Sequence, residues 1–384
     1  MPPSAPALSL VLKQHEWLPR AEAHAQRARR FAEPFVQRRN ARQKHPVEDF
    51  LFTYYTHKPG QLGRWHPGAG VVLAGDAAVE RVGWKHYRAL TQAEREAAGV
   101  AEATAAVVLD AAAYLGEREE TVRFCDVILR GTASRPAQFG CFGLHEWAMV
   151  YHSEKFGIRH EYLPLRLGAE ATDRVVEEHR IRCTHFDAFR FYTPDAAPRN
   201  ELQPTRETQR HLEQPGCLHA NMDLYKWAYK LGPAVPGELL MDCFELAWRV
   251  REMDMKASPY DLADWGYEPI RIETPAGKAE YVEAQRAFAA EAAALRERLT
   301  TAIAPLVAAL PCGASAPIHI VPTPALAHKA RGFAEDSGGA VVVRIVRGEL
   351  HHPAVIKGAA RLSTDDDEAS PLRALVEIEG GWAG

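Results

Sequence analysis

Two runs decide the fold class: Ala220-Asn-Met-Asp-Leu-Tyr-Lys-Trp-Ala-Tyr-Lys-Leu231 and, after Gly-Pro-Ala-Val, Pro236-Gly-Glu-Leu-Leu-Met-Asp-Cys-Phe-Glu-Leu-Ala-Trp-Arg-Val-Arg-Glu-Met-Asp-Met255. Both read as helices, and the Pro-Gly opening of the second is a normal helix start. Downstream, Glu268–Glu273 is a short strand candidate, and Pro275–Leu310 reads as a long helix with Pro in its first turn and a broad alanine face. Upstream, Arg180–Tyr192 is aromatic on both sides without two-residue alternation, as suits a buried strand. Gly143–Phe156 reads as helix followed by loop, and Thr91–Leu129 as an Ala- and Glu-rich helix broken at Gly116. Gly60–Gly83 is loop or short strands, and Pro46–Tyr55 a short aromatic helix. Glu16–Gln43 is a helix that Pro34 should kink or split. The expectation is a mainly α body with a small β-sheet (α+β), the sheet containing Arg180–Tyr192.

After Pro311 the composition shifts to Gly, Ala, Pro and Val, with a strand candidate at Ala340–Val346 and an acidic, disordered run from Ser363. Residues 1–310 are therefore expected to form a mostly helical catalytic domain. Residues 311–384 would form a C-terminal extension, a small α/β element followed by a flexible acidic tail.

At 384 residues, 47% hydrophobic and 25% charged, the composition is that of a globular chain with a large core. No run of about 18 uncharged apolar residues occurs, which excludes a membrane-spanning helix and a membrane partner of that kind. Met1–Gln14 lacks a basic, then apolar, leader pattern, so the expected location is cytoplasmic. The six cysteines are scattered without a C-x-x-C pair and read as buried free thiols. A net charge of −4 offers no global basic surplus for DNA. The local candidate is Arg27 to Lys44, which also reads as the solvated face of a helix. The chain carries no signal of oligomeric state.

Three stretches carry chemistry. In His145-Glu146-Trp147-Ala-Met-Val-Tyr-His152 the second His comes too late for a zinc helix motif, because i, i+7 separates Cα atoms by about 10.5 Å. Glu146, beside Trp147 and Phe142, is either a carboxylic acid with a raised pKa or a solvent-facing side chain. In Cys183-Thr-His185-Phe-Asp187-Ala-Phe-Arg190-Phe-Tyr192, a strand would put His185 and Asp187 on one face. Buried there, they need partners. They could orient a base, supply two arms of a 2-His-1-carboxylate iron site, or form a satisfied pair with Arg190 or Arg182. In Glu213-Gln-Pro-Gly-Cys-Leu-His219-Ala-Asn-Met-Asp223-Leu-Tyr225-Lys-Trp227, His219 and Asp223 stand i, i+4 at a helix start, and Tyr225 and Trp227 offer either stacking surface or core.

These strings, together with His45-Pro-Val-Glu-Asp-Phe-Leu-Phe-Thr-Tyr-Tyr55 and Asp254-Met-Lys-Ala-Ser-Pro-Tyr-Asp261, resemble a bacterial, mainly actinobacterial, family labelled 3-methyladenine DNA glycosylase. The resemblance spans about Glu16 to Leu310. It implies a DNA-repair hydrolase that acts on DNA by base excision, releasing alkylated purines without a cofactor. Within that reading, Asp187 is the first choice for the catalytic carboxylate, followed by Asp223 and Glu146, with His185 and His219 beside them. Trp147, Tyr192, Tyr225 and Trp227 would stack the base, and Arg190 would contact substrate. The alternative is a metal-dependent enzyme, such as an oxygenase, that holds Fe, Zn or Mn with His185, Asp187 and His219, His145 lying nearby.

Overall fold

Leu10–Lys13 forms strand β1 and runs directly into helix α1 (Gln14–Asn40), whose start is closed by Glu16 Oε2 accepting the Lys13 N–H at 2.7 Å. The computed structural model describes residues 8–310, apart from 159 and 161, and the dipeptides Val342–Val343 and Val376–Glu377. Pro34 does not split α1. Each internal proline removes one helical hydrogen bond, but Trp17, His24, Ala28, Ala32 and Phe35 form a buried stripe that anchors both sides of it.

Short helices α2 (Phe50–Tyr54) and α3 (Pro59–Leu62) lead to strands β2 (Val71–Ala74) and β3 (Tyr87–Ala89). Helix α4 (Gln92–Ala98) and strand β4 (Ala106–Leu109) follow. The sheet order is β1-β2-β4-β3, with β1 parallel to β2 and the other pairs antiparallel. The expected Thr91–Leu129 helix is thus interrupted by a strand, Ala-Val-Val-Leu109, buried at all four positions. Gly116 breaks nothing: α5 runs unbroken from Ala111 to Ala133, and a Cβ at Gly116 would meet open space.

The remaining helices are α6 (Leu144–Ala148), α7 (Ser153–Phe156), α8 (Gly168–Glu178), α9 (Phe186–Phe189), α10 (Gln209–Leu212), α11 (Leu218–Leu231), α12 (Gly237–Lys256) and α13 (Pro275–Ala309). Helices α11 and α12 form the centre, with α13 packed on both, α5 on α11 and α1 on α12. Leu224, Leu231, Phe244, Leu246, Val250 and Ile303 are almost wholly buried there. Burial of each such side chain contributes about 1.5–3 kcal/mol. The body is mainly α with a small sheet. Among the described residues, no helix is long and apolar enough to cross a membrane.

The sheet does not contain Arg180–Tyr192. Ile181 makes a single bridge to Asn200, whose side chain then takes the place of a neighbouring strand. Its Oδ1 accepts the Cys183 N–H at 2.6 Å, and its Nδ2 donates to the Cys183 carbonyl at 3.0 Å. With those groups satisfied by one side chain, the chain turns into α9. Gly143–Phe156 is likewise not one helix. It breaks between α6 and α7, where His152 adopts φ 54° and pairs with Asp195 at 2.7 Å. Gly168–Glu178 is helix, although the sequence reads as loop there, and Glu268–Glu273 is irregular.

The chain divides into two compact units, residues 1–310 and 311–384. In the second, Val342–Val343 pairs antiparallel with Val376–Glu377, inside the expected Ala340–Val346 strand. The acidic run at Ser363 lies outside the described residues.

Candidate functional site

Helix α6 begins at Gly143, whose φ of +67° is left-handed and favours glycine. That start turns His145 and Glu146 inward, toward the end of α12. There His145 Nε2 lies 3.3 Å from Asp254 Oδ2, and Arg251 Nη1 donates to Glu146 Oε1 at 2.9 Å and to Asp254 Oδ2 at 3.5 Å. His219, in the first turn of α11, sets its ring perpendicular to that of His145, with centroids 4.3 Å apart. One donor atom from each of His145, His219 and Asp254 lies within 4.8 Å of the others. Asp254 Oδ1 and Glu146 Oε2 are buried and have no hydrogen-bond partner among the described residues.

A second triad adjoins it. His185 Nε2 lies 3.3 Å from both Glu213 Oε1 and Asp223 Oδ2, and the His185 and His219 ring centroids are 5.4 Å apart. Asp223 also accepts from Tyr55 Oη at 2.9 Å and from Lys226 Nζ at 2.9 Å. Lys226 in turn donates to Asp187 Oδ2 at 2.8 Å, and Arg190 Nε is 3.1 Å from Asp187 Oδ1.

The electrostatics separate the three histidines. For His185, burial opposes the charged form, but the Asp223 and Glu213 carboxylates outweigh it and hold the imidazole up at about 9. For His145, burial likewise opposes the charge, and Asp254 and Glu146 overcome it, so its pKa is raised. His219 is held well below the usual range by burial and by its two histidine neighbours. Asp254 and Asp223 are buried, which works against their charge, yet their cationic neighbours pull both below the usual carboxylate range.

A cavity of about 450 Å³ opens beside the first triad. His145 and His219 line it with Phe142, Tyr192 and Tyr281, as do three thiols, Cys141, Cys183 and Cys217. Burial raises all three thiols, Cys183 to about 12, so they face the cavity uncharged.

The structure thus brings His145, His185, His219, Asp223 and Glu146 into one buried network, with Tyr192 at its cavity. His185 and Asp187 do not share a strand face. His185 turns inward, while Asp187 sits on α9, one ion pair further out, with Arg190 beside it. Trp147, Tyr225 and Trp227 are core residues, between 0% and 3% exposed, and do not line the cavity. The Trp147 Nε1–H is spent on the Ala257 carbonyl at 2.9 Å, and Tyr225 is wedged between Tyr55 and Phe244.

Sequence reasoning left Asp254, Arg251 and Glu213 out of the site. Their signal was present: in Met253-Asp254-Met255 a carboxylate is flanked by two apolar residues, three positions after Arg251.

No protein-family model, curated protein or solved structure matches this chain.

Proposed function

We propose that this chain is a metal-dependent enzyme whose catalytic cation is held by His145, His219 and Asp254. The observation that carries the reading is the convergence of these three donors, from α6, α11 and α12, at the wall of a cavity that both histidines line. The free Asp254 Oδ1 fits the same role, since a buried carboxylate oxygen without a partner costs free energy unless something binds it.

Two imidazoles and one carboxylate suit iron(II), zinc(II) or manganese(II) and leave coordination positions open. When bound, the cation supplies a Lewis acid to water or to a substrate oxygen, or a redox centre if it is iron. The chain's own residues do the rest. Arg251 bridges Glu146 and Asp254 and so fixes the carboxylate direction, as partners of ligands do elsewhere. The low pKa of His219 keeps its ring neutral and able to donate a lone pair near pH 7. Phe142, Tyr192, Tyr281 and the neutral thiols give the cavity a wall that suits an aromatic group of small-molecule size, and Arg180 and Arg182 also line it.

The test is the metal content of untagged protein, then titration of chelator-stripped protein with iron(II), zinc(II) and manganese(II). Loss of one equivalent in His219→Ala supports the reading, and a metal count that this variant leaves unchanged refutes it. The metal that copurifies selects between Lewis-acid hydrolysis and oxygen chemistry.

One observation favours a second reading, base excision. The same cavity has room for a single heterocycle and presents Phe142, Tyr192 and Tyr281 to it. Asp187, Asp223 and Glu146 do not border the cavity, so the carboxylate that such chemistry needs would reach the base only after rearrangement. Release of alkylated purine from methylated DNA, undiminished by a chelator, would establish this second reading in place of the first.

A further inference from the structure

Beyond the site at the cavity, we infer that His185, Glu213 and Asp223 form a second, closed cation site that takes a divalent transition metal. Three successive segments of the chain deliver these donors: the turn before α9, the end of α10 and the second turn of α11. One donor atom from each lies within 4.8 Å of the other two. All three residues are between 1% and 2% exposed.

The geometry is not that of a settled hydrogen-bonded pair. His185 Nε2 is 3.3 Å from an oxygen of each carboxylate, yet neither ring nitrogen makes an aligned hydrogen bond among the described residues. A buried imidazole committed to one carboxylate would turn its N–H onto that oxygen, because an unmade bond in the interior is costly. Here the ring nitrogen and both oxygens converge on a common space instead, as ligands around a cation do.

The supporting contacts fit that role. Tyr55 Oη holds Asp223 through Oδ1, leaving Oδ2 directed at His185. Gln209 Nε2 donates to Glu213 Oε1 at 2.5 Å, so the oxygen that faces His185 is itself held in place. Such outer partners orient ligating carboxylates and are part of most metal sites. Lys226 shares Asp223 Oδ2, so Glu213, Asp223 and Lys226 together leave one net negative charge for the cation to meet. One imidazole with two carboxylates is a borderline-to-hard set, suited to zinc(II), manganese(II) or iron(II) rather than to a soft ion.

None of the three residues borders the cavity. The site would therefore be structural. It would clamp the turn before α9 and the end of α10 onto α11, behind His219, without presenting a position to substrate.

The inference concerns a different donor set from the proposed catalytic cation, and one experiment separates the two. Full-length untagged protein is stripped with a chelator and titrated calorimetrically with zinc(II) and, separately, with manganese(II). Bound metal is counted by elemental analysis after gel filtration. Two equivalents are expected for the wild type. One is expected for Glu213→Gln, with affinity for the lost equivalent reduced at least a hundredfold, and one, the other, for Asp254→Asn. Circular dichroism checks that each variant is folded, and Asp223→Asn replaces Glu213→Gln if that variant is not. A wild-type count of one that Glu213→Gln leaves intact overturns this inference and spares the catalytic site. A count of two that Glu213→Gln leaves intact overturns the placement. A count of one lost in Glu213→Gln but kept in Asp254→Asn supports the closed site and removes the catalytic one. No binding at all removes both.

Discussion

The two His–carboxylate triads stand side by side, built from similar donors, and differ in what surrounds them. His145, His219 and Asp254 meet at a cavity wall, and the carboxylate is steered by an arginine that also holds Glu146. His185, Glu213 and Asp223 are sealed, and their carboxylates are steered by a phenol, an amide and a lysine. The contrast teaches that donor identity alone does not define a catalytic site. Open coordination positions facing a cavity do, and packing creates those.

The comparison can be broken most severely at Arg251. Arg251→Met removes the guanidinium from Glu146 and Asp254 and leaves His145 as their remaining cationic neighbour, at an expected cost of about 3–5 kcal/mol in the metal-free protein. Chemical denaturation measures it, and a loss under about 1 kcal/mol would mean that His145 alone compensates the two carboxylates. Under the proposed function, added zinc(II) should recover part of the loss, because it would neutralise the charge of Asp254.

Next in size is the pH response of metal-free protein. The folded pKa of His185 is raised, to about 9 from an ordinary value near 6.5. Its contribution is therefore complete below about 6.5 and is lost as pH rises through about 9. Stability read by unfolding should fall across that window by on the order of 3 kcal/mol, and His185→Gln should flatten the dependence. An unchanged slope in that variant would place the proton elsewhere. His219, whose pKa is depressed, works in the opposite sense: it costs stability as pH falls below about 6.5, where the unfolded chain takes up a proton that the native site refuses.

A smaller effect is expected at Asp187, on the rim of the sealed triad. In Asp187→Asn, Lys226 keeps Asp223 as partner, so the loss should be about 1 kcal/mol, with metal affinity unchanged within about threefold. Calorimetry on the variant checks this. A hundredfold loss of binding would return Asp187 to the ligand set that the sequence suggested. The smallest effect belongs to Trp227→Phe, which keeps most of the apolar volume on the far face of α11. It should move neither triad and cost about 1 kcal/mol of packing, read by thermal unfolding. Lost metal binding there would show that the cavity extends further than the structure indicates.

Helices α11, α12 and α13 were legible to within two residues at each end, because helix periodicity and proline-marked starts are local signals. So was the chemical character of His145, His185, His219 and Asp223. The strand expected at Arg180–Tyr192 failed for a nonlocal reason: Asn200, outside the run, satisfies Cys183 and removes the need for a neighbouring strand. Of the four aromatic residues expected to stack substrate, Tyr192 lines the cavity and the other three lie in the core, for a similar reason. Trp147, Tyr225 and Trp227 have the flat surfaces that a pocket requires, but the core requires the same surfaces, and composition does not distinguish the two.

What the amino-acid sequence determined by itself is the mainly α class, the helical frame and the histidines and carboxylates available for chemistry. These follow from periodicity, helix starts and residue type, which act over a few residues. Only the tertiary structure decided that Asp254 meets His145 across 109 positions, that Glu213 closes on His185, and that one triad opens to a cavity while the other is sealed. Those outcomes depend on which helix faces pack together, and the burial that drives packing has no fixed sequence spacing.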